Sequence, residues 1–409
     1  MKIIVAACSM LLLICSANNT HAEDGWGDKL SSMVTDGKVS VDFRYRLEGV
    51  DEDGFAEDAQ ASTLRSRLTL ESATLNGFSA LLEMDDVRTI GPDDYNSTVN
   101  GKTQYPIVAD PVGTDLNQAW IKYGIDAFDG TLGRQRILHG NQRFVGGVAW
   151  RQNEQTFDGI RALVKIWDKL NLDLSYVTQV NRIFGPNDGA NPATLEGDNI
   201  LFRADYQVAE GQNLDGYIYL LDIDPQDGYA AGKTVNNSSD SLGLEYSGKF
   251  DQLSIDAALA RQTDAGDSTL NYNANYYKAE LGLSLQAIKL NLGYEVLGAD
   301  NGVGFATPLA TLHKFQGWAD KFLSTPPDGV EDAYLGINGK AGPVKLGAVY
   351  HDFQAESSSA DFGTEIDLVA TWSVNKQFTL QAKYANFDSN DRSRFTDTAK
   401  GWLTLRLKL

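Results

Sequence analysis

Apolar and polar residues alternate with a period of two along most of the chain. Within residues 39–48, Val, Phe, Tyr and Leu side chains face one way and Ser, Asp, Arg and Glu side chains the other. This spacing predicts β-strands with one face in an apolar medium and the other in water. The pattern recurs in residues 64–71, 170–176, 200–208, 288–296, 378–384 and 403–409.

The connections between these strands alternate between short turns and long loops. The short turns are rich in Gly, Asn and Asp, the residues that tight hairpins favour. Nine long loops predict about eighteen strands in an all-β fold, a transmembrane antiparallel β-barrel with short periplasmic turns and long extracellular loops. A soluble β-sandwich would show the same alternation but seldom has so many strands. The long loops lie near residues 49–62, 88–115, 137–155, 181–199, 222–240, 264–275, 297–331, 354–364 and 388–399.

Both ends of the sequence indicate export to the outer membrane. Residues 1–22 combine a basic start, an apolar stretch and a small, polar exit, which predicts a signal peptide cleaved after Ala22. The apolar run is too short for a membrane anchor, and Cys15 leaves a lipoprotein signal as an alternative. Residues 23–409 would then form a single barrel domain in contact with lipid and lipopolysaccharide. The alternating segment that ends at Leu409 resembles the insertion signal read by the barrel assembly machinery.

The composition excludes several classes of function. A formal charge of −20 argues against a nucleic-acid partner. The two cysteines, Cys8 and Cys15, both precede the predicted cleavage site, which excludes a disulfide scaffold and cysteine-based metal sites. The remaining histidines, His139, His313 and His351, are far apart, and neither HExxH nor GxSxG occurs. We therefore expect no enzymatic activity and no cofactor.

Arginines supply the candidate chemistry, because twelve of the 16 lie before residue 204. A charge facing lipid at the bilayer midplane costs about 2–4 kcal/mol, so strand arginines should face the lumen. One interpretation is a pathway for anionic solutes. The other is that these arginines hold the wall together by pairing with Glu48, Glu71, Glu83, Asp85 and Asp205. The candidate solute-binding residues are Arg44, Arg46, Arg65, Arg67, Arg88, Arg134, Arg136, Arg143, Arg151, Arg161 and Arg203.

Three loops carry further hypotheses. The loop at residues 137–155 is polar, aromatic and contains Gly, as is typical of loops that fold into a barrel and narrow it, although an ordinary extracellular loop fits equally well. The acidic loops at residues 49–62 and 222–240 could hold Ca²⁺ or bridge lipopolysaccharide through divalent ions, but such clusters are more often simply solvated.

Specific motifs lie at residues 63–68, 86–88, 94–97, 100–101, 105–111 and 115–119, and the most specific lie at residues 133–136, 141–144 and 150–158. Together these motifs, which cover about residues 62–160, resemble the alginate export family of outer-membrane barrels. The resemblance implies an eighteen-stranded barrel with an electropositive lumen that passes polyanionic alginate, and it implies lumen roles for Arg65, Arg67, Arg88, Arg134 and Arg136. This chain is shorter than the name-giving exporter, and its later strands carry few arginines.

These observations favour an anion-selective outer-membrane channel for acidic saccharides such as alginate or its oligomers. A general diffusion porin without saccharide preference is the first alternative. The second is an adhesin or structural barrel whose long loops bind partners outside the cell.

Overall fold

The computed structural model describes residues 26–409 and forms a closed antiparallel β-barrel. The predicted signal peptide lies outside the described residues. Each of the eighteen barrel strands pairs with the next along the chain, and the last strand pairs with the first, which places Arg406 opposite Arg44. Closure leaves no unpaired strand edge, as a bilayer requires. The prediction of an eighteen-stranded barrel is confirmed.

The strands and helices have the following bounds. The strands are β1 (Lys38–Glu52), β2 (Ala59–Glu71), β3 (Phe78–Asp94), β4 (Gly113–Ile125), β5 (Phe128–Gln135), β6 (Thr156–Trp167), β7 (Leu170–Asn181), β8 (Thr194–Ala209), β9 (Gln212–Leu221), β10 (Ser239–Phe250), β11 (Leu253–Asp264), β12 (Asn273–Leu285), β13 (Ile288–Leu297), β14 (Ala299–Asp300), β15 (Val303–Gly304), β16 (Val330–Ala341), β17 (Val344–Gln354), β18 (Asp361–Ser373), β19 (Phe378–Ser389) and β20 (Thr398–Lys408). The helices are α1 (Trp26–Thr35), α2 (Gly232–Val235) and a 3₁₀ turn (Leu312–Lys314). The strands β14 and β15 form a separate small hairpin inside a loop. None of the helices within residues 26–409 has the length and apolar character of a membrane span.

Short turns and long loops alternate around the barrel. The turn between β2 and β3 contains Asn76 and Gly77 in the left-handed region, with φ of 50° and 86°, which a tight hairpin requires. Several strands extend further than the alternation predicted. For example, the first long loop spans residues 53–58 rather than residues 49–62.

The outward face of the barrel is apolar and carries two bands of aromatic side chains. Leu68 and Leu70 on β2 are 42% and 40% exposed, as expected of side chains that face lipid. Aromatic bands at both interfaces are typical of outer-membrane barrels. The band near the short turns contains Phe78, Tyr123, Phe128, Trp167, Tyr206, Phe250 and Trp372, and the band toward the long loops contains Tyr176, Tyr277, Tyr294, Tyr350 and Tyr384.

Two long loops, β5–β6 (residues 136–155) and β13–β16 (residues 298–329), enter the lumen and pack against each other. Val145 forms a parallel bridge with Leu309, and the Thr311 amide donates to the Gln142 carbonyl at 3.0 Å. Their apolar residues join inward-facing strand residues in one buried cluster. It includes Phe144, Leu309, Phe322, Tyr217, Tyr219, Tyr276, Phe305, Phe353 and Phe387.

Candidate functional site

The arginine row, Arg44, Arg46, Arg65 and Arg67 on β1 and β2, forms one inner wall of the barrel. Strand register sets Arg44 directly opposite both Arg65 and Arg406. Like charges at opposed positions destabilise a sheet unless counter-charges lie nearby. Asp42 supplies part of that counter-charge, because its carboxylate accepts from Arg65 at 3.1 Å and from Arg406 at 2.8 Å.

The loop residue Glu154 contacts the periplasmic end of this row. Its carboxylate accepts from Arg67 Nη1 at 2.7 Å and from Arg136 Nε at 2.5 Å. Arg67 also forms a bidentate salt bridge with Asp85, in which Nε and Nη2 each lie 2.6 Å from a carboxylate oxygen. Burial alone would raise the pKa of Glu154, but the guanidinium groups of Arg67 and Arg136 hold that pKa well below its ordinary value. Glu154 is therefore ionised at neutral pH.

Arg44 and Arg46 differ from their neighbours because neither has a carboxylate within hydrogen-bonding distance among residues 26–409. Arg44 donates to Gln152 Oε1 at 3.0 Å and to the carbonyls of Ala149 and Arg151.

Arg46 is held still more loosely than Arg44. Its guanidinium lies 4.2 Å from the centre of the Trp150 ring, and its Nη1 is 3.8 Å from Asp110 Oδ2. Two of its buried nitrogens, Nε and Nη1, have no hydrogen-bond partner in the described chain. A buried donor without a partner costs free energy.

Two loop arginines fasten the inserted loop to opposite walls. Arg151 donates to both oxygens of Glu48 on β1, at 3.0 and 3.1 Å. Arg143 donates to Glu295 on β13 at 2.7 Å, and both of these side chains are almost fully buried. The loop is therefore held across the lumen by charged contacts at each side.

Arg161 and Arg203 lie closer to the short turns than the arginine row does. They line a cavity of about 720 Å³ that borders the β4–β5 and β6–β7 turns. Arg161 forks onto Asp173, and Arg203 contacts Asp205, Asp215 and Glu245 at 2.6, 2.7 and 2.8 Å. Carboxylates outnumber cations in this cavity, so it offers less to an anionic solute than the arginine row does.

The prediction that Arg88 faces the lumen is wrong. Arg88 has the same parity on β3 as the lipid-facing Met84; its side chain is 56% exposed and pairs with Asp86 at 2.6 Å. Its neighbour Val87 is the inward residue, opposite Arg65. Asp86 lies two residues away on the same face and neutralises the outward charge.

The predicted pair Arg134/Arg136 separates at the end of β5, because the two arginines have different partners. Arg134 is only 9% exposed, and it makes a bidentate salt bridge to its cross-strand neighbour Asp158 at 2.7 and 2.9 Å. Strand β5 ends at Gln135, so alternation no longer governs Arg136. The chain turns inward there, and Arg136 reaches Glu154.

The structural interpretation of the arginines is supported at four of the five proposed carboxylates. Glu48, Glu83, Asp85 and Asp205 each pair with an arginine. Glu71 is instead exposed at the periplasmic end of β2. Most of the lumen charge is thus neutralised internally.

One cluster of buried residues was missed from the sequence. Lys383 on β19 lies 3.6 Å from the ring centre of Trp318 and 3.9 Å from that of Trp150, and its Nζ is 2.9 Å from His313 Nε2. Burial lowers the pKa of His313 to about 3, so the imidazole is neutral and accepts this bond, because lysine is only a donor. At least 65 positions separate Lys383 from these partners in the sequence, and no local motif signals such contacts.

Comparison with known families bears directly on this lumen. The sequence model of the alginate export family matches residues 37–301, which is more than half of the chain. The chain belongs to the alginate export family. No curated protein sequence matches the chain.

Solved structures agree with this alginate export family member in fold. Acinetobacter baumannii OccAB4 is 15% identical, with a TM-score of 0.69 over 91% of this chain and 98% of that one. Pseudomonas aeruginosa OccK3 (OpdO) is 13% identical, with a TM-score of 0.70 over 95% of this chain and 99% of that one. Pseudomonas aeruginosa OpdK, solved with vanillate, is 10% identical, with a TM-score of 0.68 over 92% of this chain and 99% of that one. All three match the whole barrel.

This alginate export family barrel is therefore an outer-membrane channel for anionic solutes and not an enzyme. Within residues 26–409, no group of three or more His, Asp or Glu side chains is arranged to hold a metal ion. Calcium at the acidic loops, like contact with lipopolysaccharide and with the barrel assembly machinery, stays a prediction.

Proposed function

We propose that this channel passes acidic saccharides of oligomer size, such as fragments of alginate, along its arginine row. The observation that carries the proposal is the state of Arg44 and Arg46. Their donors meet neutral acceptors, or no acceptor at all, whereas Arg67 is saturated by carboxylates. A solute carboxylate at Arg44 and Arg46 would supply the hydrogen-bonded carboxylate that these two residues lack in the described chain.

The geometry of β1 suits a solute that carries repeated carboxylates. Arg44 and Arg46 are two positions apart on one strand face, which separates their attachment points by about 7 Å. Uronic acid oligomers present one carboxylate on each sugar ring, and guanidinium forks bind carboxylates in bidentate fashion. The amide of Gln152, which contacts Arg44 at 3.0 Å, can exchange hydrogen bonds with sugar hydroxyls.

Oligomers are favoured over the full polymer because two loops share the lumen with the solute. Arg143 and Arg151 tie the β5–β6 loop to β13 and β1. A solute must therefore pass between this loop and the wall, or shift the loop. Short oligomers need less displacement than a continuous chain does.

The test is single-channel recording in planar bilayers with the double variant Arg44→Gln/Arg46→Gln. Wild type should prefer anions in a salt gradient and show transient block by uronate oligomers. The double variant should lose the preference, and block should weaken about tenfold or more. Arg88→Gln is the matched control, since Arg88 faces outward. A cation-selective wild type, or a double variant that behaves like Arg88→Gln, would refute the proposal.

Small aromatic carboxylates are a second candidate. The Trp150 ring lies 4.2 Å from the Arg46 guanidinium, a pairing that would contact both halves of an aromatic acid. Pseudomonas aeruginosa OpdK, a structural neighbour, was solved with vanillate. Stronger block by vanillate than by uronate oligomers would favour this candidate. Block by neither would indicate a general diffusion porin, and the absence of conductance would favour an adhesin or structural barrel.

A further inference from the structure

Glu154 is the only acidic residue of the β5–β6 loop, and its partners come from the barrel wall and from Arg136 at the start of the loop. Its side chain is only 6% exposed. One carboxylate oxygen accepts from Arg67 of β2 and lies 3.9 Å from Arg65 Nη1. The other accepts from Arg136 at 2.5 Å and from Asn117 of β4 at 3.2 Å. Three donors from separate segments therefore converge on one carboxylate that the loop delivers.

The same donors would suit a carboxylate of a solute, because the group they bind is chemically identical. Guanidinium N–H groups and an amide N–H recognise any carboxylate of that position and orientation. We propose that Glu154 is a built-in occupant of an anion site in the arginine row, and that a solute carboxylate binds there by displacing it. This inference rests on the proposed function, since it concerns how anionic solutes traverse the row.

Displacement leaves the wall arginines paired. Arg67 keeps its fork onto Asp85, and Arg136 keeps Glu83 at 2.5 Å. The cost of uncovering a buried guanidinium is thereby avoided. Without these second partners, removal of Glu154 would strand two charges in the wall.

The movement required is small. Glu154 lies two residues before Thr156, where β6 begins. Its neighbours are also fixed. The backbone N–H of Gln152 donates to Asp110 Oδ1 at 2.8 Å, and the side-chain amide of Gln155 donates to two loop carbonyls at 2.9 Å. Rotation of the Glu154 side chain therefore suffices, and the loop can stay in place.

An internal competitor has a clear consequence for transport. Channels need solute binding that is strong enough for entry and weak enough for release. Glu154 weakens the apparent affinity for solute carboxylates and returns to its donors when the solute leaves. Removal of its charge should give tighter and slower-releasing binding.

The test compares Glu154→Gln with Glu48→Gln, which removes the same charge from the same lumen. Glu48 pairs with the loop residue Arg151 and accepts from none of the donors that bind Glu154. Reversal potential is measured in KCl gradients, and block is measured with a uronate trisaccharide. Glu154→Gln should increase both the anion preference and the residence time of the trisaccharide, the latter about tenfold. Because Arg151 keeps Asp320 at 3.5 Å, Glu48→Gln leaves the loop a second charged contact and should produce only the smaller change due to net lumen charge.

The outcomes separate the two proposals. Equal effects of Glu154→Gln and Glu48→Gln on reversal potential and on block would overturn the role of Glu154. No trisaccharide block in any variant would refute the proposed substrate, while a larger reversal-potential shift in Glu154→Gln would still support the anion site. If Glu154→Gln does not fold, as judged by heat-modifiable migration, Glu154→Asp replaces it. The shorter side chain should lengthen residence severalfold, and wild-type residence would contradict the inference.

Discussion

Phe144 is the apolar anchor of the loop that enters the lumen, and Phe144→Ala tests whether that anchor holds the loop. The side chain is 7% exposed. Its ring centre lies 5.0 Å from that of Tyr217, 5.1 Å from that of Tyr276 and 6.0 Å from that of Phe305. These three rings belong to β9, β12 and the β13–β16 loop, so Phe144 joins the β5–β6 loop to two walls and to the other loop.

The expected cost is large and falls on loop docking. Replacement of a buried Phe by Ala typically costs about 3–5 kcal/mol, because the transfer free energy is lost and a cavity remains. Strand pairing does not involve Phe144, so the barrel should still close. Since each 1.4 kcal/mol is about tenfold in an equilibrium constant, the ratio of docked to undocked loop should fall by roughly 100- to 4,000-fold.

Single-channel recording gives the readout. Phe144→Ala should show a larger mean conductance and frequent brief transitions as the loop leaves and re-enters the lumen. Leu138→Ala is the control, because Leu138 belongs to the same loop and is 45% exposed. If folded Phe144→Ala gave the same conductance and noise as Leu138→Ala, the aromatic cluster would not be what holds the loop.

Two further predictions concern charged contacts of the same loop. Glu295→Gln leaves the buried Arg143 without its carboxylate; breaking such a pair costs about 3–5 kcal/mol, so limited proteolysis should cut the β5–β6 loop faster than in wild type. For pH, the guanidinium partners of Glu154 outweigh burial and hold its pKa below the ordinary 4.5. Its contribution to loop docking is therefore complete above pH 4.5 and lost only as pH falls through the lower folded value. The current noise of wild type should therefore stay constant between pH 7 and pH 4.5. A rise in wild-type noise within that range that is absent from Glu154→Gln would contradict the lowered pKa of Glu154.

The barrel could be predicted from the sequence because the bilayer forces it. Lipid makes an outward charge costly, so strands such as β1, β2 and β20 alternate strictly, and their inward residues include Arg44 and Arg65 as expected. The prediction failed for Arg88, where Asp86 on the same outward face neutralises the arginine. An unpaired charge on the outward face is costly in lipid, whereas an arginine paired with a carboxylate on that face costs less.

The contacts in the lumen could not be predicted, because they join residues that are distant in sequence. Arg44 meets Gln152 across 108 positions, and Arg143 meets Glu295 across 152. Neither alternation nor motif spacing contains such pairs. Glu154 did lie inside the segment that resembles the alginate export family, so its presence was visible although its partners were not.

Partner assignment, rather than a count of charges, decides where an anion can bind in this lumen. By count, the arginine row is largely balanced by Asp42, Asp85 and Glu154. A balanced wall exerts little long-range attraction, so selectivity must arise at close contact. Arg44 and Arg46 offer donors without carboxylate partners, and Arg67 offers donors held by a carboxylate that can rotate away. On these proposals, a solute that advances along β1 and β2 meets arginines without a hydrogen-bonded carboxylate next to an arginine that Glu154 occupies, and we expect this difference to set where the solute pauses.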